Sequence, residues 1–127
     1  PSKTKGTKYE TGVVDYMRER GVRWVERKAA GGSVKDEGDI AGIRKWTLEC
    51  KKVNAMKLAA WVDEMLKERG HNNTPFGAVI HGRVMKSISK SYVTMELEQF
   101  VTLLIRLGDV EVDPEAPGVK EILDAES

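Results

Sequence analysis

Gly38-Asp39-Ile40-Ala41-Gly42-Ile43-Arg44-Lys45-Trp46-Thr47-Leu48-Glu49-Cys50-Lys51 is the stretch from which the fold is read. Asp39 to Gly42 has the character of a short strand, Gly42 to Lys45 of a turn, and Trp46 to Lys51 of the returning strand, so the pair is predicted to form a hairpin. On a strand, side chains at i and i+2 share a face. Glu49 and Lys51 therefore project together, Cys50 points the other way, and the hairpin brings Asp39 alongside. Two carboxylates converging on one spot repel unless a cation lies between them. Mg²⁺ or Mn²⁺ suits such a pair, because it takes hard oxygen ligands and keeps waters for a substrate phosphate. An ammonium beside them can orient a water nucleophile or stabilise developing negative charge.

Upstream, Val13, Val14 and Met17 space an amphipathic helix over 8–20, ended by Gly21. Val22 to Arg27 has strand character, and Ala29-Ala30-Gly31-Gly32-Ser33 reads as a small, flexible loop. Downstream, Asn54 is the expected N-cap of a helix carrying Met56, Leu58, Trp61, Val62, Met65 and Leu66, which Gly70 stops. His71 to Pro75 reads as a loop. The apolar run Phe76-Gly77-Ala78-Val79-Ile80 is expected as a strand covered on both faces. Residues 82–91 are basic and loop-like, Tyr92 to Met95 can form a further strand, and 96–107 is the clearest helix. Helices separated by strands imply an α/β architecture around one mixed sheet. The expected organisation is a basic arm over 1–7, a single domain over 8–107, and an acidic tail over 108–127 that holds at most one or two helical turns.

A net charge of +1 over 127 residues hides a segregation. From Leu107 to Ser127 one lysine stands against seven acids, which leaves 20 bases and 13 acids on residues 1–106, a balance of +7. Such a body attracts a polyanion such as nucleic acid, and the acidic tail would solubilise or shield it. No apolar run approaches the roughly 20 residues of a membrane span, and the lysine-bearing start does not resemble a signal peptide. The single cysteine, Cys50, allows no internal disulfide, so an intracellular, cytoplasmic setting is expected.

Asp39…Glu49-x-Lys51 on a hairpin, with a helix before and a helix after, resembles the PD-(D/E)xK nuclease superfamily. Within it, the short length and the first half of the chain look most like Holliday junction resolvases of archaeal and phage type. The resemblance covers about residues 8–80. It implies a restriction-endonuclease-like core, a central mixed β-sheet flanked by helices, and Mg²⁺-dependent hydrolysis of DNA phosphodiesters with Asp39 and Glu49 on the metal. Glu10 lies where those enzymes carry a further metal-site glutamate on the first helix. Arg27-Lys28-Ala29-Ala30-Gly31-Gly32-Ser33 is similar to their Ser/Gly loop at the DNA backbone. The resemblance thus implies that Arg27, Lys28 and Ser33 meet DNA, that the partner is a four-way junction, and that the protein is a homodimer. Lys8 and Lys52 are further candidate DNA contacts. Gly38 replaces the superfamily's proline, and the helix after Lys51 lacks the glutamine some relatives place near the metal. Residues 82–91 and the tail match nothing in the family.

Each of these residues also has a plainer account. Glu49 and Lys51 can form a solvated strand face, and the helix dipole alone favours a glutamate at position 10. Cys50 is expected as a small core residue. His71 and His81 lack zinc-ligand spacing, and Trp24, Trp46 and Trp61 are expected in the core or an interface. Rival functions are another nuclease of the superfamily acting on flaps, ends or damaged DNA, and a non-catalytic DNA-binding or assembly protein.

Overall fold

A computed structural model of the chain describes residues 2–28, 39–52 and 54–125, with side chains from residue 7 onward. The chain divides into two compact units, residues 1–94 and 95–127. The architecture is mixed α/β. No helix among the described residues is long and apolar enough to cross a membrane.

The first unit opens with α1 (Ser2–Glu19). Its start lies well before the stretch marked by apolar spacing, since an established helix extends through polar residues at little cost. Tyr9, Val13 and Val14 form its buried stripe. Two short strands follow, β1 (Glu26–Arg27) and β2 (Ile40–Ala41), paired antiparallel with Glu26 opposite Ala41. The strand expected from Val22 is cut to its last two residues, because Trp24 adopts a left-handed φ of 68° that no ladder accommodates. Trp24 is 83% exposed, so of the two expected settings, core or interface, the core fails for it.

β3 (Trp46–Lys51) runs parallel to β4 (Phe76–His81), in register from Trp46–Phe76 to Lys51–His81, and β4 pairs antiparallel with β5 (Tyr92–Thr94). Parallel neighbours need a crossover, which α2 (Leu58–Asn72) supplies. All six residues of β4 are buried, as its unbroken apolar run predicts. The expected hairpin between Asp39 and Lys51 takes a reduced form. β2 has its ladder with β1, β3 has its ladder with β4, and the main-chain link between them is Asp39 N–H donating to Leu48 C=O at 3.0 Å. Trp61, Met65 and Val79 form the core between α2 and the sheet, joined by Leu58, Val62 and Leu66.

Two helix ends depart from expectation. Lys57, not Asn54, is the N-cap of α2, and it makes no capping side-chain bond. Gly70 lies inside the helix, which takes in His71 and ends where Asn73 turns left-handed and donates its N–H back to Arg69 and Gly70. A helical glycine costs about 1 kcal/mol, too little to stop a helix held down by Trp61 and Met65.

Gly42 fixes the approach to Asp39. Its φ is +92°, and a Cβ there would run into the Trp24 carbonyl. Gly42→Ala should cost about 3 kcal/mol, combining left-handed strain with overpacking, read as a lowered urea midpoint at unchanged slope. An unchanged midpoint would remove this turn from the account of how Asp39 is placed.

The second unit pairs α3 (Leu97–Leu107) with α4 (Val119–Asp124). Gly108, left-handed, caps α3 as its position predicts. Gln99 and Val119 are buried, whereas Leu97, Phe100, Val101 and Leu107 are exposed.

Candidate active site

The pleat of β3 separates two chemistries. Thr47, Glu49 and Lys51 share the face covered by α2. Thr47 Oγ1 lies 2.7 Å from Thr74 Oγ1 and accepts from Asn72 Nδ2 at 2.9 Å, while Lys51 Nζ meets Glu64 Oε2 at 2.9 Å. Cys50 has the opposite phase, is buried with a free thiol, and sits close enough to Tyr9 of α1 to affect its ionisation. It is the core residue expected, and burial pushes its thiol well above the ordinary range.

Main-chain bonds clamp Asp39. Its N–H donates to Leu48 C=O, its C=O accepts from Lys28 N–H at 2.9 Å, and its Oδ2 accepts from Cys50 N–H at 2.8 Å. The carboxylate is thereby fixed between Glu49 and the start of β2. From α1, Glu10 reaches the same place, hydrogen bonding to Asp39 and lying 3.7 Å from the Arg27 guanidinium. Glu10, Asp39, Glu49 and Lys51, picked out by sequence, are thus brought together by three separate segments.

The structure adds two residues that the sequence reading missed, Glu64 and Glu68 on α2. Carboxylate oxygens of Glu49, Glu64 and Glu68 all lie within 4.8 Å of one another. The available signal was a phase one. Trp61, Met65 and Glu68 follow i, i+4, i+7, so Glu68 occupies a core position of the helix and is buried there.

Crowding of like charge in a partly dry setting has the expected electrostatic result. Burial, then the Asp39 charge, push Glu10 up to about 7 against the pull of Arg27. Glu49 is likewise pushed up to about 7, first by burial and then by Asp39 and Glu64, although a hydrogen bond from Glu68 opposes this. Burial raises Asp39 too, resisted by the Cys50 amide and by Lys51. For Lys51 burial favours loss of the proton, but Glu64, Glu49 and Asp39 outweigh it, and the ammonium is held more tightly than usual.

Glu49 Oε1 is buried with no hydrogen-bond partner, on a residue that is 3% exposed. A buried carboxylate oxygen left bare is costly, and this one belongs to a set of hard oxygen donors. The donor set therefore fits a small divalent cation such as Mg²⁺ or Mn²⁺. On the sequence reading Glu10, Asp39 and Glu49 would hold it. Among the described residues the carboxylates whose oxygens lie within 4.8 Å of one another are instead Glu49, Glu64 and Glu68, while Glu10 and Asp39 interact with each other and with Lys51.

The proposed DNA contacts are placed unevenly. Lys8 is exposed on α1. Arg27 directs its guanidinium to Glu10, and Lys52 lies over the Tyr9 ring, 5.7 Å from its centroid. Lys28 contributes the amide that meets Asp39. Ser33, the Gly31-Gly32 pair and Gly38 lie outside the described residues. His81 bonds Thr94 Oγ1 at 2.8 Å, and burial lowers its proton affinity. Trp61 is buried, and Trp46 stacks on Phe76 at 4.9 Å. No family model matches the chain, and neither a curated protein nor a solved structure matches it significantly.

Proposed function

We propose that this chain is a metal-dependent DNA endonuclease of PD-(D/E)xK type with a restriction-endonuclease-like core, selective for branched DNA such as four-way junctions. The observation that carries this reading is the convergence of Glu10, Asp39, Glu49 and Lys51, from α1, the start of β2 and β3, on one partly buried spot. A structure with these residues as a solvated strand face would leave their carboxyls near ordinary values. Here burial and mutual repulsion raise them, as is common where groups are arranged for chemistry.

A bound Mg²⁺ or Mn²⁺ would supply Lewis acidity, drawing charge off the scissile phosphate and making a water more acidic. The chain's own residues do the rest. Asp39, held by two main-chain bonds and by the Cys50 amide on its Oδ2, presents its carboxylate in a constant place. Glu49 stands beside it on a rigid strand, and Lys51, two residues on, offers a positive charge to the developing phosphate charge or to the attacking water. Glu10, whose carboxyl is pushed up to about 7 without metal, would give up that proton on supporting the cation. Arg27 limits the charge at Glu10, so its value to the site is electrostatic as well as any contact with DNA.

Two cuts across a two-fold junction call for a two-fold protein, so we place a homodimer beside the nuclease reading. Trp61 is core and unavailable for such an interface, whereas α3 carries exposed apolar residues. Basic residues of the body supply sequence-independent affinity. Lys8→Ala and Lys52→Ala should each weaken junction binding and lower the slope of log K against log[salt] by about 1, measured by fluorescence anisotropy over a salt series. Unchanged slopes in both variants would place the DNA elsewhere.

The decisive experiment incubates the purified protein with a four-way junction, a matched duplex and a flap, in Mg²⁺, Mn²⁺ or EDTA. Paired symmetric nicks in the junction, dependent on metal, are expected. Cleavage of the flap or duplex instead would keep the nuclease and discard the junction. No cleavage of any DNA with either metal would overturn the reading.

A further inference from the structure

α2 brings to β3 a pair of carboxyls that the nuclease reading does not use. Glu64 and Glu68 are one helical turn apart, so both present to the same side, and that side faces Glu49. Glu49 and Glu68 are each 3% exposed, and the oxygens of all three glutamates fall within 4.8 Å of one another. Acidic residues gather on many surfaces without consequence. This cluster differs in its depth, and in the Glu49 Oε1 atom, which is buried and has no hydrogen-bond partner. Glu64 is also held in place from the other side, by the Lys51 ammonium at 2.9 Å.

We propose that Glu49, Glu64 and Glu68 form a second divalent-cation subsite, next to the one assigned to Glu10, Asp39 and Glu49, with Glu49 serving both. It rests on the nuclease reading only in that it extends the same cluster. The chemistry of the donors is again that of a hard cation, Mg²⁺ or Mn²⁺, with the remaining positions left to water. A cation there satisfies the bare Glu49 oxygen. Glu64 then divides its charge between the cation and Lys51, so filling the subsite loosens the ion pair that ties Lys51 to α2. Lys51 is thereby positioned differently in the metal-free and metal-loaded protein.

Mn²⁺ binding to the full chain tests this without reference to cleavage. Free Mn²⁺ is counted by its electron paramagnetic resonance signal, alongside isothermal titration calorimetry, for the wild type and for Glu64→Gln, Glu68→Gln and Asp39→Asn. The expected result is two Mn²⁺ per chain in the wild type. Glu64→Gln and Glu68→Gln should each weaken one of the two by at least about tenfold and leave the other, and Asp39→Asn should do the converse. Glu64 is half-exposed at its side chain, so its variant keeps the test usable if Glu68→Gln does not fold. One ion per chain, lost in Asp39→Asn and unaffected by Glu64→Gln, would overturn the second subsite and leave the nuclease reading standing. No Mn²⁺ bound at millimolar concentration would overturn both.

Discussion

Asp39→Asn is expected to reduce metal-dependent cleavage by a factor of about 10³ or more while leaving the chain folded and, without metal, no less stable. The two halves of that expectation come from different contacts. Asparagine keeps an oxygen that can accept from the Cys50 amide, and its main-chain bonds to Leu48 and Lys28 are untouched. It removes one charge from a place where Glu10 and Glu49 already resist ionisation, so repulsion falls. The lost charge is the one that a cation and a phosphate transition state require, and removing a single such group typically costs 10²–10³ or more. Lys51→Ala should also lose about 10²–10³ in rate, and in addition frees Glu64 from its ion pair. Single-turnover cleavage of a junction, with urea unfolding of the same samples, separates activity from folding. Wild-type rates in both variants would reduce Asp39, Glu49 and Lys51 to a charged strand face and leave a DNA-binding role.

The second large effect is on stability against pH. Glu10 and Glu49 have folded values of about 7 against an ordinary 4.5. Between those limits the unfolded chain has lost protons that the folded chain keeps. Stability must therefore fall as pH rises from about 4.5 to 7 and level off above it, the reverse of a salt-bridged carboxylate. A tenfold change in proton affinity is about 1.4 kcal/mol, so the shift of Glu49 from 4.5 to about 7 corresponds to about 3–4 kcal/mol, or about 10–15 °C in Tm for a chain of this size. His81, whose proton affinity burial lowers, acts in the opposite sense over part of the same range and trims the effect. A divalent cation binds the ionised carboxylates and stabilises the folded state by mass action. Mg²⁺ should hence raise Tm far more at pH 8 than at pH 5. Scanning calorimetry from pH 5 to 8, with Mg²⁺ and with EDTA, checks both trends. A metal-free Tm that climbs steadily across that range would contradict the crowded carboxylates, and a Tm indifferent to Mg²⁺ at pH 8 would remove the cation.

Much of this site was legible because the strand period does not depend on what surrounds the strand. Glu49 and Lys51 share a face wherever 46–51 is extended, and Cys50 takes the other. The same holds for Phe76 to Ile80, whose unbroken apolar run permits only burial on both sides, and for the α3 stripe ended by Gly108. Glu10 and Asp39 came from spacing and resemblance, and they interact with each other and with Lys51.

What escaped were matters of long-range geometry. Glu64 and Glu68 look like ordinary polar positions of a charged helix until α2 crosses over β3. Trp24 has the composition of a strand, yet its left-handed φ and the Gly42 approach turn it outward. The end of α2 was set at Asn73 and not at Gly70, because packing of Trp61 and Met65 outweighs a local glycine penalty. Which residues share a face of each element could be read from the chain alone, since that depends on the local backbone repeat. That β3 pairs in parallel with β4 and is tied to Asp39 by one main-chain bond and by the Cys50 amide, and that Glu64 and Glu68 of α2 come to Glu49 and Lys51, are outcomes of tertiary structure. Those outcomes follow from which buried surfaces find each other across the chain, and no local repeat encodes that.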